Sequence, residues 1–298
     1  MALAPDDAIA QLEREARDDK MAREVLADLH EDRGDTKRAQ LWRDCQRDDV
    51  YALRFDQLPN RGKTRKRVTK MTDAETAMMK PCADEWIRIG LTTGKADRPL
   101  FEAAVDAIYR HMGMTPVPVI WTPAPIVAVL AGPIALYMIT RGSSGAVRGA
   151  VDDAVRVAVD VAVDDAVGRA VGVAVDSAVG SARRSDLASP VWSRQDHNNL
   201  KQIQSQRRYS WLGGQFWPGW YWGSAYVMYM LDVLRLDIGR DLELKARAYA
   251  ATVKSACYWY PTTKFIFASE RPATIENGGG TWRWVDASGV EQTWTVRR

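Results

Sequence analysis

Cysteine and histidine are scarce, with three of each in 298 residues, and neither type clusters. Cys45, Cys82 and Cys257 show no C-x-x-C spacing, so neither a disulfide framework nor a redox motif is expected. His30, His111 and His197 have no second His, Cys or carboxylate at ligand spacing, so no metal site is expected either. The chain also lacks a P-loop, a G-x-G-x-x-G turn and a G-x-S-x-G elbow, and no cofactor is expected. Cys257 and His197 could form a thiol nucleophile and its base, but Cys257, between Ala256 and Tyr258, reads as a core thiol.

Long hydrophobic runs are missing too. The longest uncharged stretch, Val117 to Ile139, is interrupted by Pro118, Pro123, Pro125 and Pro133. Its apolar run from Ile126 has 14 residues, short of the roughly 20 that span a bilayer, and no membrane partner is expected. The opening MALAPDDAIAQLEREARDD is acidic and polar, unlike a signal peptide. Dispersed thiols and the absence of a leader point to the cytoplasm. A 46% hydrophobic and 27% charged composition is that of an ordinary globular chain. A net charge of +3 by itself implies no nucleic-acid partner.

From residue 146 to 179 the pair Ala-Val returns every fourth residue nine times. Period four fits neither a strand nor an ideal helix. On a helix the stripe would advance about 40° per step and circle the axis in about 36 residues. Spacers such as Asp152-Asp153, Arg156, Asp164-Asp165 and Arg169 argue against burial on every side. The tract is expected as a central helix or helices, broken near Gly168 or Gly172, with a short-turn solenoid as the alternative.

Residues 1–52 read as a small annex of short helices, with Ile9, Leu12 and Ala16 on one face and Val25, Leu26 and Leu29 on another. Residues 53–72 read as a solvated linker carrying Arg61, Lys63, Arg65, Lys66, Arg67 and Lys70, which are also the candidate nucleic-acid contacts. No aromatic residue is interleaved with them, so base stacking has no support. Residues 73–298 read as the main domain, with helices around 74–86, 226–236 and 242–257. Strands are expected over 264–268, 282–285 and 291–296, the last two joined by a turn at Asp286-Ala287-Ser288-Gly289. The fold class expected is mainly α with a small antiparallel β appendage.

Nine of twelve tryptophans lie between Trp192 and Trp294. Gly213, Gly214, Pro218, Gly219 and Gly223 are expected to break the cluster around Trp217, Trp220 and Trp222 into loops or short turns. Those three indoles suit a sugar, base or peptide ligand, or simply a core. Two charged spots are the other ligand candidates. Asp97-Arg98 stands before Pro99 at a helix start, where Asp caps naturally. Glu270-Arg271 closes a strand, where Arg could hold an anion or bridge to a carboxylate.

Two resemblances rest on particular residues. The run Leu26-Ala27-Asp28-Leu29-His30-Glu31-Asp32-Arg33-Gly34-Asp35, with Arg38-Ala39 beyond, resembles a repeat-companion domain of planctomycete proteins, with Leu29 and His30 where that domain has Trp and Leu. Glu85-Trp86-Ile87-Arg88-Ile89-Gly90-Leu91-Thr92-Thr93 followed by Ala96-Asp97-Arg98-Pro99 resembles the W-x-x-I-G-L-S-T-x-x-A-D-R motif of a large family of uncharacterised bacterial proteins. Ile120-Trp121, the tetrapeptide tract, Gly213 to Trp222 and Cys257 to Pro272 follow in that family's order. The resemblance implies no reaction. Two functions are therefore expected: first, a non-enzymatic cytoplasmic binding or scaffold module for an unknown ligand or protein, with at most weak nucleic-acid binding; second, an enzyme acting on a nucleic acid or other phosphate-bearing substrate through Asp97, Arg98, Glu270 and Arg271.

Overall fold

The computed structural model describes residues 5–125, 127–128, 131–132, 135, 215, 218–277, 280–285, 289 and 291–295. The Ala-Val tract and Trp217 lie outside the described residues.

Four short helices open the chain: α1 (Pro5–Glu15), α2 (Lys20–Asp32), α3 (Thr36–Asp44) and α4 (Asp48–Arg54). Asp19 and Asp35 cap α2 and α3 by accepting from the amides of Met21 and Arg38. Arg23, only 2% exposed, holds the bundle from within. Its guanidinium donates to the carbonyls of Ala16, Cys45 and Arg17 and to Asp48, and it lies 4.0 Å from the Tyr51 ring centre. One buried cation thereby satisfies helix-end carbonyls that would otherwise be orphaned.

This annex has no separate core. Leu26, Trp42, Val50, Tyr51 and Leu53 pack in one cluster with Leu100, Phe101, Ala104 and Ile108 of α7 (Arg98–His111). Arg110 of α7 also donates to the carbonyls of Leu53 and Arg54. Between annex and α7 come α5 (Asp73–Ala77), opened by a Thr72/Glu75 capping box, and α6 (Met79–Gly90).

The later helices are α8 (Pro218–Met228), a π-helical turn (Tyr229–Val233) and α9 (Arg240–Ser255). Here the expectation of loops or short turns is corrected, because residues 218–228 are helical through Gly219 and Gly223. Pro218 sits at the first helical position, where a missing N–H costs nothing. Each glycine weakens the helix by about 1 kcal/mol, a cost outweighed by burial of Met228 and Leu231 against Trp86, Ile89, Ala250 and Val253.

Among the described residues two three-stranded sheets complete the fold, which is mainly helical with a β appendage. In the first, β2 (Tyr258–Pro261) and β3 (Ile266–Ser269) form an antiparallel hairpin, and β1 (Val119–Thr122) adds to β3 in parallel, Val119 opposite Ile266. This sheet is therefore mixed rather than purely antiparallel. In the second, β4 (Thr274–Glu276), β5 (Thr281–Val285) and β6 (Glu291–Thr295) run antiparallel in order. Among the described residues no helix is long and apolar enough to cross a membrane.

Candidate functional site

The site is built where β1 and β3 end and α7 begins. Asp97 caps α7 by accepting from the Leu100 amide at 3.2 Å, and Pro99 fits the first turn because it has no N–H to leave unmade. Arg98, on that same turn, reaches Glu270, which immediately follows β3. Glu270 Oε1 accepts from Arg98 Nε at 3.0 Å and Nη2 at 2.5 Å, while Oε2 accepts from the Ala96 amide at 2.8 Å. One carboxylate thus clamps both the helix start and the loop before it. Arg98 also lies 4.9 Å from the Trp121 ring centre, and Trp121 donates to Glu102. The loop turns at Gly94, whose φ of 101° suits glycine and whose amide donates to the Pro272 carbonyl.

Arg271 points the other way, into the protein, and is 7% exposed. Its guanidinium donates to the carbonyl of Lys254 and lies 3.5 Å from that of Ser255, so it closes the C-terminus of α9, and the Asp97 amide donates to the same Ser255 carbonyl. Burial lowers the Arg271 pKa, partly offset by Cys257 and Asp97 nearby. Nη1 of Arg271 is buried and has no hydrogen-bond partner. Asp97 in turn pairs with Arg47 of the annex.

Arg98, Glu270 and Arg271 line one cleft of about 780 Å³ together with Lys95, Pro123 and Val285. Asp97 stands behind it at the helix cap. All four charged candidates are therefore brought together, although they come from two places some 170 residues apart. Sequence reasoning missed Lys95 and Gln215. Gln215 is fully buried and donates to the carbonyls of Gly90 and Thr92, while its own amide donates to Ala256. It thereby fastens the end of α6 to the end of α9, behind the loop that carries Lys95. Its one legible sign was its place in the Gly-Gly-Gln-Phe-Trp run.

The other candidates divide. Trp220 and Trp222 lie on α8, and nothing of their side chains falls within the described structure. Trp42, Trp86, Trp259, Trp282 and Trp284 are buried in the core, and the Trp284 indole donates to the Glu270 carbonyl behind the cleft. In the basic run, Arg61 pairs with buried Glu243 and donates to the Leu231 carbonyl at 2.8 Å. Arg65 pairs with Glu75 at 2.5 Å, donates to the Leu234 carbonyl and forms a parallel bridge with Leu236. The stretch expected as a solvated linker is tied down at these two points. Lys63, Lys66, Arg67 and Lys70 remain exposed.

A second hollow of about 320 Å³ lies between α4 and α9, with Leu53, Leu100, Met228 and Leu244 as apolar lining. Its Arg247 is engaged by Asp232 and Glu243. Among the described residues no group of three His, Cys, Asp or Glu side chains could hold a metal ion. Compared with family models, curated proteins and solved structures, the chain matches none.

Proposed function

We propose that the chain is a non-enzymatic binding module whose ligand face is the cleft between residues 94–99 and 270–273. The observation that carries this reading is the meeting of Lys95, Arg98 and Glu270 on one concave surface of about 780 Å³. Their polar contacts favour holding over reacting. Glu270 is occupied by Arg98 and a main-chain amide, and Asp97 by Arg47 and a helix cap. A carboxylate held this way is a poor proton acceptor. Cys45 and Cys82 carry thiols rather than a bridge, which suits a reducing cytoplasm. The second reading, an enzyme acting on a nucleic acid or other phosphate-bearing substrate, uses the same four residues. It is favoured by the four coming together at one cleft from two distant places in the chain.

The test is amide NMR of the full chain titrated with a panel of small uncharged and charged compounds. Binding compounds are expected to shift Lys95, Ala96 and Ala273. Shifts gathered instead around the α4–α9 hollow, or none at all, would remove the cleft from consideration.

A further inference from the structure

The hollow between α4 and α9 differs in kind from the cleft. Both helices pack on α7, and Leu100 of α7 lies in the gap left between them, with Leu53, Met228, Leu244 and Ala251 around it. None of these five is more than 8% exposed, so their apolar surface is recessed within the molecule rather than spread over its outside. A recess of this kind admits a small molecule but not a flat protein face. Its volume of about 320 Å³ is about twice the roughly 150 Å³ of an apolar protein cavity that takes up benzene. The charges around it are matched. Asp48 meets Arg23 and Lys20, Asp232 meets Arg247, and Asp49 meets Arg47, which Asp97 shares. Lys254 lies 5.2 Å from the Trp86 ring centre. A charged ligand would have to take one of these partners from its neighbour or lose its hydration among apolar side chains unanswered. An uncharged ligand meets neither cost.

We propose that this hollow is a second ligand site, which takes up a neutral aromatic molecule the size of two fused rings. Filling it gives the recessed side chains contacts on the side where they have none. Met228 supplies a polarizable thioether to the wall, which favours an aromatic ring over an aliphatic chain. Gln57, the one uncharged polar side chain of the lining, can answer a single N–H or O–H on the ligand. The site is separate from the cleft and stands or falls independently of it.

The experiment is NMR titration of the full chain with indole, against indole-3-acetate and tryptamine at matched ionic strength. Saturable one-to-one binding of indole with a Kd below about 1 mM is expected, with amide shifts at Ala52, Leu53, Leu244 and Ala251. Both charged analogues should bind at least about tenfold more weakly. Ala52 is half-buried in the lining, and Ala52→Phe, which fills the hollow from α4, should weaken indole binding at least about tenfold while thermal unfolding shows the fold retained. Should that variant fail to fold, the contacts of bound indole decide alone, with NOEs to the methyl groups of Met228 and Leu244 expected and NOEs elsewhere overturning the proposal. Absence of saturable indole binding, equal binding of the charged analogues, or binding that a folded Ala52→Phe leaves unchanged also overturns it. So does self-association that indole dissolves, which would make a second copy the occupant. Shifts confined to residues 94–99 and 270–273 would place indole in the cleft, and then this inference falls while the binding reading stands.

Discussion

Arg61 and Glu243 make an ion pair largely shielded from water, with side chains 12% and 3% exposed. Glu243 keeps a second partner in Arg247 at 2.8 Å, so losing Arg61 does not strand it completely. Arg61→Met is expected to cost about 3 kcal/mol, the lower end of what breaking a buried pair costs. Urea denaturation checks this, and Lys66→Ala, at an exposed position, should change little. The pair shows where residue-level legibility stops. A run of six cations in ten positions reads as solvated charge, and nothing local says that Arg61 and Arg65 meet carbonyls near Leu231 and Leu234, about 170 residues away. Asp97 was legible because capping is local, needing only the Leu100 amide three residues on. The partner of Arg98 was not, because Glu270 reaches it only through the pairing of β1 with β3.

Among the elements, α9 was legible to within two residues of its bounds, whereas the helix expected around 74–86 is divided at Met78 into α5 and α6. The β5–β6 hairpin was legible too, since its partners are neighbours in the chain. What was lost is non-local: β1, which joins β3 in parallel from far upstream, and α8, whose glycines argued for loops until packing against α6 and α9 outweighed them. The described residues between 125 and 135 are helical, and Gly132 shows how closely that segment meets β2. A Cβ at Gly132 would stand 2.8 Å from the Tyr260 ring, and Tyr260 is 3% exposed with no room to retreat. Gly132→Ala gains helix propensity but overpacks this contact, and a net loss of about 1–3 kcal/mol is expected in thermal unfolding. Unchanged stability would mean that the segment can move off β2.

At the scale of the whole molecule, the annex, α7 and the first sheet share one apolar cluster, from Leu26 and Trp42 through Phe101 to Trp259 and Ile266. The Arg47–Asp97 pair ties the annex to the very cap that opens the cleft. Nucleic acid is the remaining large partner to weigh, and the same architecture limits it. With Arg61 and Arg65 committed internally, only Lys63, Lys66, Arg67 and Lys70 of the basic run can meet phosphates, on a chain whose net charge is +3. Four contacts allow a slope of log affinity against log salt no steeper than about −3.6 on duplex, at about −0.9 each, and about −2.8 on single strands. Weak binding that fades toward physiological salt is the expected outcome. The control is a variant with those four residues changed to Ala, leaving Arg65 intact so that lost binding is not confused with lost stability. Tight binding at physiological salt, abolished in that variant, would put nucleic acid ahead of the small-ligand cleft as the purpose of the molecule.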